Sequence, residues 1–586
     1  MIVLNLGHSL NWDRSTKDSL IILNSHTIAG YRFSTGWAKD QRVFFTAKFS
    51  KPFNSYMIFN GNSLNNNQKE AAGKYVIGVF KFITKPNEVI YVKTGISSAG
   101  IPGAMENLDK EIPGWDFNKS KNEAADLWRI ELSKIRIETT DKALRRTFYT
   151  ALYHTMIEPS LFSDVDGKFK GADGKVHQAK GYNQYTVFSL WDTFRAEHPL
   201  FTLIERNCVN DFIKSMLAHY EETGLLPVWE LEGNETNTMI GYHAVPVIAD
   251  AILKGFYGFD VNEAYDAMKA SALQDHYGLK YYKELGYVPA DRENQSVSKT
   301  LEYAYDDWCI AQIAKYLHKV DDYKLFIKRA GFYKNLYDPS TGFMRGKNSD
   351  GTWVTPFDPR YSNHQHAVYT EGDAWQWNWF VPQNVKDLIT LMGGKDKFTN
   401  KLDSLFNQTS IVEGSNSSPD ISGMVGQYAQ GNEPSHHIAY LYDYAGKPWK
   451  SQQIVRHICE TLYTDSTDGL CGNDDCGQMS AWYVFSSMGF YPVNPADGAY
   501  VIGSPMFSKV SIEIGKGKNF TVAARNVSKE NKYIQSAELN GKTLNRSYIT
   551  QKEIMSGGDL IFIMGNQPNK AWASGNKDVP PSFTVN

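Results

Sequence analysis

The stretch "DKALRRTFYTALYHTMIEP", Asp141–Pro159, marks the point where the sequence changes from one periodicity to another. Its apolar residues recur at spacings of three and four, and Asp141 stands where a helix would be capped. The pattern predicts an amphipathic helix that begins after Asp141. Similar helix-like segments follow for more than 300 residues.

About a dozen such segments in succession favour an (α/α)6 toroid, in which six helical hairpins form a ring with one open end. The alternative is an irregular helical bundle. The predicted helical region covers residues 141–495, and the polar clusters between its helices make it the candidate catalytic barrel.

Strand-like patterns stand on both sides of the helical region. Runs such as "RVFFTAKFSKPF" and "KYVIGVFKF" alternate apolar and polar residues and are rich in β-branched and aromatic side chains. They predict an N-terminal antiparallel β-sandwich over residues 1–118, incomplete because an apolar strand opens the chain, and then a linker over 119–140, although "AADLWRIELSKIRIE" still allows strands. Runs such as "KVSIEIG" and "NFTVAAR" predict a C-terminal β region over 496–586. The fold class is therefore multidomain α and β.

Composition excludes some classes of function. A formal net charge of −3 with 21% charged residues gives no bias toward nucleic acid or anionic membranes. No apolar run approaches the ~20 residues of a membrane span, and the first residues do not have the pattern of a signal peptide. Five scattered cysteines do not form a disulfide framework; Cys471 and Cys476 are either bridged or buried.

Three joints between helices combine acids with glycines and, in the first, tryptophans. "TEGDAWQWNWF" contains Glu371 and Asp373 ahead of Trp375, "QGNEPSHHIAYLY" contains Asn432 and Glu433, and "GNDDCGQMS" contains Asp474 and Asp475. Each acid alone is explained by helix capping, because acids satisfy free N–H groups at helix N-termini. Paired carboxylates repeated on one rim also fit glycoside hydrolysis, which needs one proton donor and one carboxylate that acts on water or the sugar.

A fourth segment, "FSLWDTFRAEHP", contains Trp191, Asp192 and Arg195. Asp192 and Arg195 are three residues apart on one helix face, where they would either form an ion pair or bind sugar hydroxyls. The alternative is a buried tryptophan beside a local salt bridge. Trp375 is a candidate for stacking on a sugar ring.

The same joints offer oxygen ligands for a hard cation. Asn432, Glu433, Asp474 and Asp475 supply only oxygen donors, which favours Ca²⁺ over zinc. His436 and His437 are adjacent, so on a helix their side chains diverge and cannot share one metal. A zinc site is therefore not expected here, and His436 is one of the candidates for substrate binding.

These segments closely resemble the signature stretches of the bacterial glycoside hydrolase family 92 exo-α-mannosidases: "YTEGDAWQWNWFVPQN", "GQYAQGNEPSHHIAYLYDYAGKPWK", "DGLCGNDDCGQMSAWYVFSSMGFYPVNP" and "SLWDTFRAEHPL". The resemblance implies a β-sandwich joined to an (α/α)6 barrel and Ca²⁺-dependent release of α-linked mannose with inversion. It assigns Glu371 as general acid, with Glu433 as the alternative acid, and Asp475 as general base. Asn432 and Glu433 are the best calcium candidates. Asp474 is a possible catalytic neighbour, and Asp192 corresponds to a residue that holds the terminal mannose.

Two further expectations come from the resemblance. The protein would act outside the cytoplasm, in the periplasm or at the cell surface, on mannosides, N-glycans or mannans. The family's glycine-rich opening segment has no counterpart here, so the chain resembles an N-terminally truncated member, and a catalytically impaired carbohydrate-binding remnant is the alternative function. The sequence leaves the mannosidic linkage and the oligomeric state open.

Overall fold

The computed structural model describes residues 1–65 and 68–583. The chain forms two compact units. The first consists of Met1–Glu131, Pro159–Phe188 and Lys214–Thr238, and the second of Leu132–Glu158, Ser189–Ile213 and Met239–Asn586. Each unit therefore contains segments that are distant in sequence.

The first unit contains two β-sheets around one apolar core. The five-stranded sheet has the order Glu70–Gly73, Arg14–Asn24, Thr27–Thr35, Gln41–Phe49, Val92–Ser97, and the four-stranded sheet the order Ile2–Asn5, Val76–Lys81, Ser55–Asn60, Ser63–Asn65. All the pairings are antiparallel. Side chains that alternate inward, such as Leu20, Ile28, Ile58 and Phe80, form the core. The predicted N-terminal sandwich is confirmed.

The rest of the first unit connects through short elements. Two helices follow the sandwich, Ile101–Glu111 and Phe117–Leu132. Short strands are Ser160–Leu161, Lys168–Lys170, Val176–Gln178, Tyr185–Thr186, Phe188–Ser189 and Trp229–Glu230. The interval 119–140, predicted as a linker, thus carries most of the second helix and the strand Ile135–Glu138. Good helix formers such as Ala124, Leu127 and Glu131 explain why the first part of "AADLWRIELSKIRIE" is helical rather than extended.

Along residues 142–488, helices that are buried on all sides alternate with helices that bury one face. Most lie in the second unit, and Arg206–Thr223 begins in the second unit and ends in the first. The buried series is Glu197–Ile204, Ala244–Leu253, Ser296–Tyr316, Ala374–Trp377, Leu441–Tyr444 and Gln478–Met488. The one-sided series is Lys142–His154, Arg206–Thr223, Val261–Leu273, Val320–Arg329, Lys395–Asn407 and Pro448–Thr461. A helix that is apolar all round belongs inside, and an amphipathic one outside.

The series closes on itself, because Gln478–Met488 packs against both Lys142–His154 and Glu197–Ile204. This order is consistent with the predicted (α/α)6 barrel. Further α-helices are Leu190–Thr193, Leu279–Leu285, Val385–Leu391 and Gln551–Ser556. Short 3-10 helices are Phe332–Leu336, Pro382–Asn384, Glu433–Ser435, Ile438–Tyr440 and Pro495–Asp497, and short strands are Tyr337–Asp338, Phe343–Met344, Met424–Val425 and Tyr428–Ala429.

The C-terminal strands complete the second unit. A six-stranded sheet has the order Ile135–Glu138, Lys509–Glu513, Asn519–Arg525, Gly558–Gly565, Tyr533–Leu539, Lys542–Thr543, and a three-stranded sheet the order Phe490–Tyr491, Ala499–Ile502, Tyr548–Thr550. Asn540 and Gly541 join two strands with φ of 51° and 73°, as a tight hairpin turn requires. The predicted C-terminal β-strands are confirmed, and the first strand of their sheet comes from before the helices.

Two features bear on cellular context. Among residues 1–65 and 68–583, no helix combines the length and apolar character needed to cross a membrane. Cys471 and Cys476, for which a bridge and burial were both open, are free thiols.

Candidate active site

The acid-rich joint around Glu371 contains two carboxylates with different roles. Asp373 caps Ala374–Trp377, accepts bonds from the Trp375 and Gln376 amides and forms a capping box with Gln376. Helix capping therefore explains Asp373. Glu371 lies two residues earlier with φ of 44°, a left-handed conformation that is costly for a residue with a long side chain.

Glu371 is held by the second joint. Asn432 Nδ2 donates to the Glu371 carbonyl at 2.9 Å and lies 3.4 Å from Glu371 Oε2. Burial, aided by the charges of Asp420 and Asp475, raises the pKa of Glu371 to about 8, although the Asn432 bond opposes this shift. Glu371 is thus a carboxyl group that keeps its proton near neutral pH.

The two aspartates of the third joint also differ in their surroundings. Asp474 turns toward structural partners: Oδ1 accepts from the Ser480 amide at 2.9 Å, and Oδ2 lies 3.4 Å from His154 Nδ1. Asp475 has a left-handed φ of 49°. Burial, with the charges of Asp420 and Asp474, raises the pKa of Asp475 to about 6. Asp475 is therefore ionised at neutral pH, whereas Glu371 is protonated.

Asp192, Glu433 and Asp475 form a compact cluster of carboxylates. One oxygen from each lies within 4.8 Å of one from each other member. Asp192 is 3% exposed and Glu433 is fully buried. The Ser189 hydroxyl donates to Asp192 Oδ2, while Asp192 Oδ1 and both oxygens of Glu433 have no hydrogen-bond partner among residues 1–65 and 68–583. Burial first, then the charge of Asp475, raises the pKa of Asp192 and of Glu433 well above the ordinary range.

Such a cluster is incomplete as a purely structural motif. Buried carboxylates cost free energy unless they are paired, protonated or bound to a metal. Three oxygen donors at this spacing fit a hard cation such as Ca²⁺ rather than a soft one. Of the two predicted calcium ligands, Glu433 belongs to the cluster, and Asn432 donates its amide to Glu371 instead.

Buried charged side chains next to this cluster form a network of ion pairs. The ion partner of Arg195 is Glu302, at 3.1 Å, so the expected local pair with Asp192 is replaced by one to another helix. Trp191 Nε1 donates to the same carboxylate oxygen at 3.1 Å. His243 lies 3.0 Å from Glu302 Oε2.

The network extends one turn further along the helix. His243 also contacts Asp306 Oδ1 at 2.8 Å. Burial opposes its protonation, but Asp306 and Glu302 together raise the pKa of His243 to about 9. Removing one partner of such a network typically costs about 3–5 kcal/mol, because a buried charge is left unpaired. Trp191 and Arg195 are therefore fixed rigidly next to Asp192.

Comparison with known proteins identifies the family. The profile of the glycosyl hydrolase family 92 catalytic domain matches residues 103–566, and that of the family's N-terminal domain matches residues 1–97. The chain belongs to glycoside hydrolase family 92. The family predicted from sequence is confirmed.

Solved family 92 structures resemble this chain over almost its whole length. An α-mannosidase from Bacteroides thetaiotaomicron in complex with mannoimidazole is 43% identical, with a TM-score of 0.96, and the match covers 100% of this chain and 78% of that one. An inverting mannosidase from the same organism is 34% identical, with a TM-score of 0.90 and coverage of 99% and 80%.

A curated relative is an uncharacterised secreted glycosidase from Arthroderma benhamiae. It is 30% identical over an alignment of 540 residues, and the match covers 84% of this chain and 63% of the relative. The chain thus spans less than two thirds of that protein's length.

Two further predicted site residues of this family 92 chain are buried among protein partners. The Trp375 ring is 8% exposed and packs edge-on against Phe343 at 4.9 Å. His436 is fully buried, with Nε2 3.0 Å from the Gln430 carbonyl and Nδ1 3.1 Å from Gln478 Nε2. Burial lowers the pKa of His436 to about 3, so this ring is neutral. Substrate binding by either residue stays a prediction.

Two buried acids near the site, Glu197 and Glu302, were not among the site residues predicted from the sequence. Glu302 left a signal, because acids inside the otherwise apolar "TLEYAYDDWCIAQIA" need buried partners. Glu197 left none. It is fully buried and lies against Gly477, two residues after Asp475, and neither carboxylate oxygen has a hydrogen-bond partner in the described part of the chain. Burial first, and then Asp474, raises its pKa well above the ordinary range.

Proposed function

We propose that this family 92 chain is an exo-acting α-mannosidase that hydrolyses α-mannosides with inversion and with the assistance of Ca²⁺. The observation that carries the proposal is the pair of carboxyl groups whose pKa values lie on opposite sides of neutrality, Glu371 at about 8 and Asp475 at about 6. An inverting glycosidase needs one acid and one base at the same pH. The family relationship and the mannosidases among the solved relatives give independent support.

Glu371 is the proposed general acid. Its proton would pass to the glycosidic oxygen as the bond to the leaving group breaks. Asn432 supports this role, because its bond to the Glu371 carbonyl holds a backbone conformation that the side chain alone would not favour. Local structure thus keeps the acid in one orientation.

Asp475 is the proposed general base. It would remove a proton from water on the opposite face of the sugar, which gives inversion. Asp474 is a proposed catalytic neighbour of Asp475. Its bonds to Ser480 and His154 fix the loop, and its charge contributes to the raised pKa of Asp475.

The terminal mannose is proposed to contact Asp192, Trp191 and Arg195, with Trp375 and His436 as further candidates from the sequence. Asp192 has one buried oxygen without a partner, which suits a sugar hydroxyl or a bound cation. Arg195 and Trp191 share the Glu302 oxygen and so hold the helix turn that carries Asp192.

Ca²⁺ is the proposed cofactor, with Glu433 and Asn432 as ligands predicted from sequence and Asp192 and Asp475 as additional candidates from the cluster. When bound, the cation would attract the oxygens of the sugar hydroxyls with its positive charge. This attraction would help to distort the sugar ring. A bound cation would also lower the pKa values of the carboxylates around it. The residues' own oxygens, buried and in part without partners, fit this role.

The proposed substrates are mannosides, N-glycans or mannans outside the cytoplasm. The curated relative is described as secreted, which supports a periplasmic or extracellular location.

The decisive experiment compares wild type with Glu371→Gln and Asp475→Asn on methyl α-mannoside, whose alkoxide leaving group needs a proton from the general acid. We expect each variant to lose at least about a thousandfold in kcat while its melting temperature stays near that of wild type. Azide would partly rescue Asp475→Asn and give a β-mannosyl azide, since an external nucleophile replaces the activated water. Near-normal turnover in either variant, or an α-configured azide product, would overturn the assignment.

A further inference from the structure

An open cavity of about 1070 Å³ lies in the second unit, lined by residues that the proposed mechanism does not use. Its wall comes from the C-terminal ends of Ala244–Leu253 and Ser296–Tyr316 and from Thr550–Met555. Glu302 and Lys315 are thirteen residues apart on Ser296–Tyr316, or about 20 Å at 1.5 Å per residue. The cavity therefore extends along that helix away from the Arg195–Glu302 network, from Trp308, about 9 Å from Glu302, to Lys315.

The wall carries positive charge that nothing in the described chain neutralises. Lys315 and Lys552 are exposed, and in residues 1–65 and 68–583 neither has a carboxylate within 4.0 Å. Lys254 also lines the cavity, but Asp250 neutralises it at 2.8 Å. Asp497 is the one acid among the lining residues. Two unpaired lysines on one wall attract an anion.

Two side chains in the same wall have hydrogen-bond donors without partners. Trp308 is 4% exposed and Gln551 is 8% exposed, and neither Trp308 Nε1 nor Gln551 Nε2 has a partner in the described structure. A buried donor left unpaired costs about 1–3 kcal/mol. Both nitrogen atoms are closed to solvent in this structure, so a ligand with oxygen acceptors recovers that free energy when these two side chains turn toward the cavity.

The orientation of the Gln551 amide is fixed by its neighbours. Lys254 Nζ can only donate, so Tyr500 accepts from it at 3.2 Å. The Tyr500 hydroxyl then donates its own hydrogen to Gln551 Oε1 at 2.8 Å. Because the amide oxygen is used in this way, the amide nitrogen remains as the free group of Gln551.

Aromatic surface completes the site. Trp308 and the partly exposed Tyr316 both line the cavity, and flat rings of this kind pack against sugar faces. Lysines, free donors and rings together match a ligand that carries both an oxyanion and hydroxyl groups.

We propose that this cavity binds a small anionic sugar, one that carries a carboxylate or a phosphate, at a site separate from the carboxylate cluster. The lysines would contact the oxyanion, and Gln551 and Trp308 would donate to oxygens of the ligand. The proposal does not depend on the mannosidase activity.

Calorimetric titration of the whole chain with glucuronate, glucose 6-phosphate and uncharged glucose tests the site. We expect both anionic sugars, or one of them, to bind saturably with one site per chain, and glucose to show no saturable binding. The preference between the two anions identifies the carboxylate or the phosphate as the natural group.

Substitutions of residues that line the cavity test whether the anionic sugar binds there. Lys315→Ala combined with Lys552→Ala should weaken binding at least tenfold, and Gln551→Glu should weaken it further because it replaces a donor with a charge that repels the anion. Lys516→Ala combined with Lys518→Ala, on an exposed turn, removes the same charge elsewhere and should leave affinity unchanged. Absence of saturable binding by both anionic sugars, or equal affinity in the two double variants, would overturn the proposal.

Discussion

Asn432 and Glu371 lie 61 positions apart in the sequence, yet Asn432 Nδ2 donates a 2.9 Å hydrogen bond to the Glu371 carbonyl. The bond joins two of the three acid-rich joints. It also stabilises a left-handed backbone at Glu371, whose carboxyl group is the proposed acid. The orientation of the acid therefore depends on a residue from another helical hairpin.

Asn432→Ala should reduce kcat by roughly ten- to a hundredfold, because one bond that orients the acid is lost. Asn432 Nδ2 also lies 3.4 Å from Glu371 Oε2, and this side-chain bond lowers the pKa of Glu371, so its removal should shift the alkaline limb of the pH–rate profile upward. Steady-state rates across pH measure both effects. A fall in rate without a shift of the alkaline limb would contradict this coupling.

The pH dependence of kcat/KM in the wild type should be bell-shaped. Activity should rise as Asp475 loses its proton, at or below about pH 6, and fall as Glu371 loses its proton near pH 8. Glu371→Gln should remove the alkaline limb from whatever activity remains. A profile with no alkaline limb up to about pH 9.5 would argue against Glu371 as the acid.

Calcium should stabilise the protein more strongly at high pH. Burial raises the pKa values of Asp192, Glu433 and Asp475, so their contribution to stability is present below the unfolded pKa and is lost as pH rises through the folded values. A bound cation offsets that loss and releases protons as it binds. The rise in melting temperature on adding Ca²⁺ should therefore grow from about pH 5 to pH 8.

Asp192→Asn combined with Glu433→Gln supplies the control for this calcium effect. The double variant should show little dependence of melting temperature on Ca²⁺ at any pH. An equal response in the variant and the wild type would place the calcium elsewhere.

Asp474→Asn should lower kcat by about tenfold, far less than Asp475→Asn, because Asp474 supports the loop. Asp474 raises the pKa of His154, so this pair stabilises the fold below the ordinary histidine pKa and the effect is lost as pH rises through the raised value. The stability difference between wild type and Asp474→Asn should therefore be larger at pH 5.5 than at pH 9. Equal losses of kcat in the two variants would show that both aspartates act directly.

Gly477→Ala should destabilise the protein more than Gly498→Ala. Both glycines have left-handed backbones, with φ and ψ of 98° and −3° at Gly477 and of 69° and 15° at Gly498, where alanine costs about 1–2 kcal/mol. A Cβ at Gly498 would lie at an ordinary contact distance of 3.8 Å from Gln551 Cβ, but one at Gly477 comes within 3.0 Å of the Glu197 carboxylate. Because Glu197 is fully buried and has little room to move, roughly 1–3 kcal/mol more is expected. Chemical denaturation measures the difference, and equal losses would contradict the packing argument.

The sequence by itself determined the succession of sandwich, helices and strands. Periodicity reports which face of each element is apolar, and that property is local. Residues 124–138, for which the sequence still allowed strands, form a helix up to Leu132 and a strand at Ile135–Glu138, because apolar residues there fit both periods over so short a run. The sequence could not predict that Ile135–Glu138 pairs with Lys509–Glu513, because tertiary contacts determine which strands pair.

The sequence also identified the acid-rich joints as candidate sites, but it could not show which acids cap helices and which take part in catalysis. Tertiary structure decided that Asp373 caps a helix, that Asp192, Glu433 and Asp475 converge, and that Arg195 pairs with Glu302 rather than with its neighbour. The physical reason is that burial and nearby charges set the protonation of a carboxyl group, and both come from segments distant in the chain. Residue types are fixed by the sequence, whereas their pKa values and partners are fixed only by the folded structure.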